Sequence, residues 1–278
     1  MTTLMPTRSP IRVYGMLAAA LVLTASPALA QFRPRTISDP ATGERYHIEG
    51  SAGFWNPSAT MSISSESLGI GGTTIDFKKD LGLKDKRFGE LHAVLKASRK
   101  HKFRFQYIPI KYAQQAIVPR NIVFNGQLYR VGFPVNSSLE WKAYRFGYEY
   151  DFIVKERGFG GFILDFKYTD VRASLQSPAN SEFAHASAPI PALGGIVRVY
   201  VVPILSITGE LTGIKVPERI AENFKAHYAD LDIYGTVNLT NNIGAQLGYR
   251  SFDVGYLVDQ DTGSFKLKGL YFGVVARY

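Results

Sequence analysis

Residues Tyr228–Leu239 read YADLDIYGTVNL. Ala229, Leu231, Ile233, Gly235, Val237 and Leu239 occupy alternate positions, and Tyr228, Asp230, Asp232, Tyr234, Thr236 and Asn238 occupy those between. Successive side chains of a β-strand point to opposite faces, so this period of two describes a strand with one apolar and one polar face. A turn at Thr240-Asn241-Asn242 follows, after which Ile243, Ala245, Leu247 and Tyr249 continue the apolar face with Gln246 and Arg250 opposite.

The same pattern recurs on either side of this hairpin. In Tyr144–Phe152 (YRFGYEYDF) the apolar face is wholly aromatic, and Arg145, Gly147, Glu149 and Asp151 lie opposite. Phe162, Leu164, Phe166 and Tyr168 alternate with Ile163, Asp165 and Lys167, and Leu205, Ile207, Gly209 and Leu211 alternate with Ser206, Thr208 and Glu210. The pattern predicts ten strands near 46–63, 87–98, 102–113, 138–153, 158–173, 184–201, 204–214, 226–239, 243–256 and 265–278. Links at 99–101, 155–157, 202–203 and 240–242 are short, and those at 64–86, 114–137, 174–183, 215–225 and 257–264 are long. Eight or twelve strands stay open, because 184–214 reads as one bent strand or two. Pro203 favours the split, since proline would remove a ladder hydrogen bond from a continuous strand.

The 278 residues carry no cysteine, which excludes a disulfide scaffold and a thiolate metal site. With 18 Phe, 16 Tyr and 2 Trp, the chain has too many aromatics for a disordered polymer. Arg8 and Arg12, the apolar run Met16–Leu23 and the small residues Ala28-Leu29-Ala30 form an export signal over 1–30, with cleavage expected after Ala30. Its two arginines leave with it, taking the net charge from +9 to +7. Residues 31–45, with Pro34 and Pro40, read as a linker, and 46–278 as one all-β domain.

One apolar and one charged face suits a soluble sandwich or a barrel whose apolar face meets lipid. Three features favour the barrel. The strands are at least as long as a tilted bilayer crossing needs, the apolar faces end in Tyr150, Phe152, Tyr249 and Tyr278, and short and long connections alternate. The last strand, GLYFGVVARY, carries Leu270, Phe272, Val274, Ala276 and the terminal Tyr278 on one face. This resembles the C-terminal targeting strand of bacterial outer-membrane β-barrels. Over 46–278 the chain resembles small barrels of that membrane, of OmpA-like or porin-like type, and IDFKKDLGL (75–83) and the stretch 231–256 are similar to recurring parts of them. The resemblance implies an antiparallel transmembrane β-barrel with periplasmic termini, outer-membrane lipid and lipopolysaccharide around it, and recognition by the barrel assembly machinery. It implies no activity.

Turning the apolar faces outward lines the interior with Lys96, Arg104, Arg145, Lys167, Arg198 and Arg250 against Glu90, Glu149, Asp151, Asp165, Glu210, Asp230 and Asp232, with His92 among them. A ring of about eight strands is just filled by side chains, so at ten a balanced set is expected to plug the barrel, or to line a narrow pore for small solutes. No catalytic residue, metal site or cofactor is expected. His227 and Asp230 are the nearest to an acid–base pair for a rim hydrolase, but their odd spacing puts them on opposite faces. No G-x-S-x-G surrounds a serine, and the glycines at 69–72 and 158–161 precede no helix, which removes a phosphate loop. Lys78-Lys79 and Lys84–Arg87 suit lipid phosphates at the outer loops, Arg99–Lys102 is expected to face the periplasm, and export removes nucleic acid as a partner. Apolar residues Ile117, Val118, Ile122, Val123 and Phe124 in the 114–137 loop suggest an adhesion surface as a further alternative.

Overall fold

In the computed structural model, residues 41–64, 71–178, 181–216, 224–258 and 261–278 are described; the expected leader and most of the linker lie outside them. The fold is an antiparallel ten-stranded barrel. Its strands are β1 (Ile48–Ser64), β2 (Phe88–Lys96), β3 (His101–Ile117), β4 (Pro134–Lys155), β5 (Gly158–Gln176), β6 (Ser181–Val202), β7 (Leu205–Val216), β8 (Phe224–Asn238), β9 (Ile243–Val258) and β10 (Asp261–Arg277). Each pairs with its neighbours in sequence, and β10 closes on β1 from Glu49↔Arg277 to Ser64↔Thr262. Closure pairs every strand with a neighbour on each side, the β2–β3 ladder covering Leu91–Lys96.

The split at Pro203 falls as expected, since β6 and β7 are separate strands joined at 203–204. Four short connections and the C-terminus define the near end. The expected long loops lie at the far end, but β5, β6, β9 and β10 run several residues into them, leaving only 177–180 and 259–260 between strands. β4 has 22 residues, or about 70 Å of strand, against the 9–11 a bilayer needs.

The extra length has a different chemistry. Along the near part of β4, Phe146 and Phe152 face outward at 53% and 57% exposure, while Arg145, Glu149 and Asp151 are buried inside. Farther along the same strand the phase inverts, with Leu139 and Trp141 inside and Glu140 and Lys142 outside. The ladder to β5 passes the change without a bulge, through Lys142↔Asp170, Ala143↔Thr169 and Tyr144↔Tyr168. The solvent changes here, not the backbone. β9 switches between Tyr249 and Phe252, and β10 between Leu267 and Leu270. The near part is therefore a barrel turned inside out, with an apolar belt and a charged interior, as lipid requires. The far part packs a core of Trp55, Met61, Ile110, Leu139, Trp141, Phe252, Phe265 and Leu267 behind a polar wall, as a water-soluble barrel does. At the boundary Tyr107, Tyr144 and Tyr168 stand in one cross-strand row, with the first two rings stacked at 4.8 Å. That is the position of an interfacial aromatic girdle.

Candidate functional site: a charged interior and a stoppered far mouth

Every strand contributes to the interior of the belt. Arg104 on β3 donates to Glu149 on β4 and, at 2.6 Å, to Glu210 on β7. Arg145 pairs with Asp165 at 2.7 Å and with Glu210, so Glu210 is held between two guanidinium groups. Arg250 donates to both oxygens of Asp230, at 2.9 and 2.6 Å, and its Nη2 to Gln106 Oε1 at 3.1 Å. Lys167 donates to Thr212 and Tyr228 at 2.8 Å and to Asp230 at 3.2 Å. Tyr271 donates to Asp232 at 2.9 Å. Nearer the near end, Arg198 donates to Thr208 at 2.9 Å, and His92 lies 3.4 Å from Glu90 and 3.0 Å from the Gln106 amide.

The fourteen residues expected at the lumen all fall on the inner wall, as one charged lining: Glu90, His92, Lys96, Arg104, Arg145, Glu149, Asp151, Asp165, Lys167, Arg198, Glu210, Asp230, Asp232 and Arg250. Four more charges belong to it. Lys102 bridges Glu149 at 2.7 Å and Asp151 at 2.8 Å, so the last of the Arg99–Lys102 cluster points into the lumen and does not face outward at the near end. Its ammonium also lies 3.3 Å from the centre of the Phe159 ring, a cation–π contact in a dry site. Arg277 donates to Glu49 at 2.5 Å across the closing seam. Glu44 meets Arg198 at 3.5 Å, Lys96 at 3.7 Å and the Tyr200 hydroxyl at 2.7 Å. Lys102 was in phase with Arg104 in the sequence; Arg277 and Glu49 were visible once the faces opposite Ala276 and Gly50 were followed.

Glu44 belongs to residues 41–45, expected as the end of the linker. They are instead packed into the near mouth, where the Thr42 amide donates to the Pro203 carbonyl at 2.8 Å and Asn238 donates to the Thr42 carbonyl at 2.8 Å. Space for the network comes from Gly147, where a Cβ would stand 2.5 Å from Asp165 Oδ1. Between the charges and the apolar core is a cavity of about 20 Å³ lined by Trp55, Gln106, Arg145, Lys167 and Arg250, room for about one water.

The far mouth is stoppered by segments the sequence reading treated as loops. Ile122–Phe124 and Gln127–Tyr129 form a hairpin across Asn125-Gly126, whose φ values of 48° and 77° are those of a two-residue turn with both residues left-handed. An Asn-Gly pair between apolar residues was the available signal. Val118, Ile122 and Phe124 are buried at 1%, so most of the apolar set expected to meet a partner faces inward, while Ile117 is 69% exposed. Ile75, Phe77, Leu81 and Leu83 pack beneath the hairpin. Arg120 locks the two segments, donating to Asp80 Oδ1 at 2.9 Å, Asp80 Oδ2 at 2.7 Å and the Thr74 carbonyl at 2.7 Å. These donors hold the Asp80 carboxyl below the usual carboxylate range.

The remaining candidates lie apart from the interior. His227 is on the outer wall, 3.3 Å from Asp253, while Asp230 points inward to Arg250. His185 meets Asp170 at 3.1 Å, also outside. Lys78 pairs with Asp85 at 2.8 Å, and Arg87 lies at the head of β2. The face carrying Leu270, Phe272, Val274, Ala276 and Tyr278 points outward. Gly158 and Gly161 serve close approach, as a Cβ would stand 2.3 Å from the Arg198 carbonyl oxygen at the first and 2.7 Å from the Tyr150 carbonyl oxygen at the second.

No protein-family model matches the sequence, and no curated protein does. Among solved structures, the chain is similar to the outer membrane protease OmpT of Escherichia coli, with a TM-score of 0.56 over 87% of this chain and 100% of that one, at 6% identity. Weaker similarities are to Ail, the attachment invasion locus protein of Yersinia pestis (TM-score 0.33, 10% identity, 81% and 97% covered), and to the toluene transporter TodX of Pseudomonas putida (0.29, 9%, 94% and 93%). At such identity the likeness to OmpT is one of fold, and the fold is an antiparallel ten-stranded barrel of the outer-membrane type.

Proposed function

We propose that this chain is an exported structural barrel of the bacterial outer membrane, plugged along its length and non-catalytic. Its far end then faces the outside, in contact with lipopolysaccharide. The observation that carries the reading is the filled interior. Eight basic groups (Lys96, Lys102, Arg104, Arg145, Lys167, Arg198, Arg250, Arg277) meet nine carboxylates (Glu44, Glu49, Glu90, Glu149, Asp151, Asp165, Glu210, Asp230, Asp232) in a nearly neutral set. A water-filled pore would leave such groups hydrated; here they neutralise one another beneath an apolar core. Of the two types the sequence resembles, the filled interior favours the OmpA-like one over the porin-like one. The outward face ending in Tyr278 supports recognition by the assembly machinery.

The mature protein, refolded until its gel mobility changes on boiling, should be silent in a planar bilayer. Steady discrete openings would overturn the plug and make the chain a narrow pore for small solutes. A second reading, ligand contact at the far tip, is favoured by Ile117, Leu128, Val131 and Phe133, which are 69%, 44%, 54% and 52% exposed. Replacing Val131 and Phe133 by serine should then abolish attachment to surfaces without changing the boiling shift. A rim hydrolase has less support, since His227 and Asp230 point to opposite sides of the wall.

A further inference from the structure

The apolar belt is interrupted at one seam. The ladder between β2 and β3 holds from Lys96↔Lys102 to Leu91↔Tyr107 and stops there, although β2 continues to Phe88 and β3 to Ile117. Continuing the register would put Pro109 opposite Gly89. Proline has no N–H to give a ladder, and β3 keeps its pairing on the other side, through Pro109↔Lys142. Gly89 and Ala52 leave the outer wall bare beside the seam, and a Cβ at Gly89 would meet nothing within 4 Å. The result is a groove of about 520 Å³ on the outside of the belt, walled by Phe54, Leu91, Tyr107, Phe272 and Val274. In the wall beneath it, Glu90 turns into the lumen, where its Oε2 lies 3.4 Å from His92 and 3.8 Å from Arg250.

A charge stands at the groove's far end. The Arg87 guanidinium lies 5.8 Å from the Phe54 ring centre and 5.7 Å from that of Phe272, and its Nε donates to Asn56 Oδ1 at 2.7 Å. Among the described residues it has no carboxylate partner. From Ala52 to Asn56, which is in register with Arg87, the strand runs about 13 Å, or roughly 9 Å along the membrane normal at a tilt of about 45°, more than half of one leaflet's hydrocarbon. An apolar trough that ends in an arginine, where the outer face of β1 passes from Phe54 to Asn56 and Ser58, matches a lipid whose tail is hydrocarbon and whose head is a phosphate.

We infer that this groove seats an acyl chain of a phosphate-bearing lipid in the outer half of the bilayer, with Arg87 holding the phosphate. The inference rests on the membrane reading above. Burial of the chain against Phe54, Leu91 and Phe272 supplies the apolar contact, and the guanidinium selects the head.

Native mass spectrometry of the refolded protein tests this, with dimyristoyl phosphatidic acid, dimyristoylglycerol and inorganic phosphate as probes. The wild type should retain phosphatidic acid over dimyristoylglycerol by about tenfold, the effect of one charge-assisted contact. Arg87→Gln should remove that preference. Gly89→Leu, whose Cβ would meet nothing within 4 Å and whose side chain would occupy the groove, should release both lipids. Gly50→Leu, equally open but outside the groove, should change neither. Retention by Gly89→Leu equal to wild type, a preference that survives Arg87→Gln, or displacement by inorganic phosphate alone would each overturn the proposal. The boiling shift, read on every variant, reports the barrel separately: its absence in the wild type counts against the membrane reading, not against the groove.

Discussion

Arg104 and Glu210 meet across the middle of the barrel at 2.6 Å, although β4, β5 and β6 lie between their strands along the wall. The contact spans the lumen, so it reports whether the interior is filled as well as how it is held. Removing one partner leaves the other with a single ion pair in a dry interior, Glu210 with Arg145 or Arg104 with Glu149, which costs up to about 3–5 kcal/mol. Arg104→Met and Glu210→Gln should each lower the urea midpoint of the barrel in vesicles by that order. Glu210→Gln should be the more damaging, because Arg145 also loses one of its two carboxylates and keeps only Asp165. The double variant should cost less than the two singles added together. Strict additivity would mean that the two groups do not interact in the membrane-embedded protein.

The near end makes a separate prediction. Glu44 is the only carboxylate of residues 41–47 inside the mouth, and Arg198 and Lys96 both turn toward it. Burial raises its carboxyl pKa, but Arg198 and Lys96 outweigh that and the group is lowered overall. Glu44→Ala should release residues 41–47 from the Pro203 and Asn238 contacts and open them to protease added at the near side, while the ten strands stay protected. Unchanged cleavage would mean that the backbone contacts at Thr42 hold the segment without the ion pairs.

Strand number and the charged lumen were legible because both rest on alternation, and alternation survives whichever side is wet. What it does not encode is the solvent. Leu139 and Trp141 are as regular as Phe146 and Tyr148, but half a period out of step. A single period-two template extended over both sees one strand and misses the boundary between lipid and water within it. The four missed charges sit where the template is weakest. Lys102 opens a strand, Arg277 closes one, Glu49 lies in the glycine-rich start of β1, and Glu44 is outside any strand. The stopper hairpin was missed because its apolar residues were read as a surface, when the barrel beneath offered them a core.

Asp80 and Arg120 give the far mouth an acid limit. The carboxyl of Asp80 is held below its ordinary value chiefly by the two hydrogen bonds from Arg120. A depressed folded value means that the ionised group stabilises the docked loop above its unfolded value of about 3.9, and that this contribution fades as pH falls through the folded value. Amide protection over 75–83 and 120–129, taken relative to the intrinsic exchange rate at each pH, should therefore be high at neutral pH and fall below about pH 4. Asp80→Asn should show the low protection already at neutral pH. If protection in the variant stays high, the apolar contacts of Phe77, Leu81 and Ile122 hold the stopper unaided.

The inversion of phase along β4 can be tested on one face of one strand. Phe146 and Asn136 both point outward, ten residues apart, one in the apolar belt and one on the wall beyond Tyr144. An arginine near the middle of the lipid-facing belt costs about 2–4 kcal/mol, and one beyond the interface costs about nothing. Phe146→Arg should lower the unfolding midpoint accordingly and slow folding into vesicles, while Asn136→Arg should match the wild type. Tyr144→Arg, at the girdle, should fall between them. Equal effects at Phe146 and Asn136 would place both in one solvent, and the alternating faces of the near half would then need an explanation other than lipid.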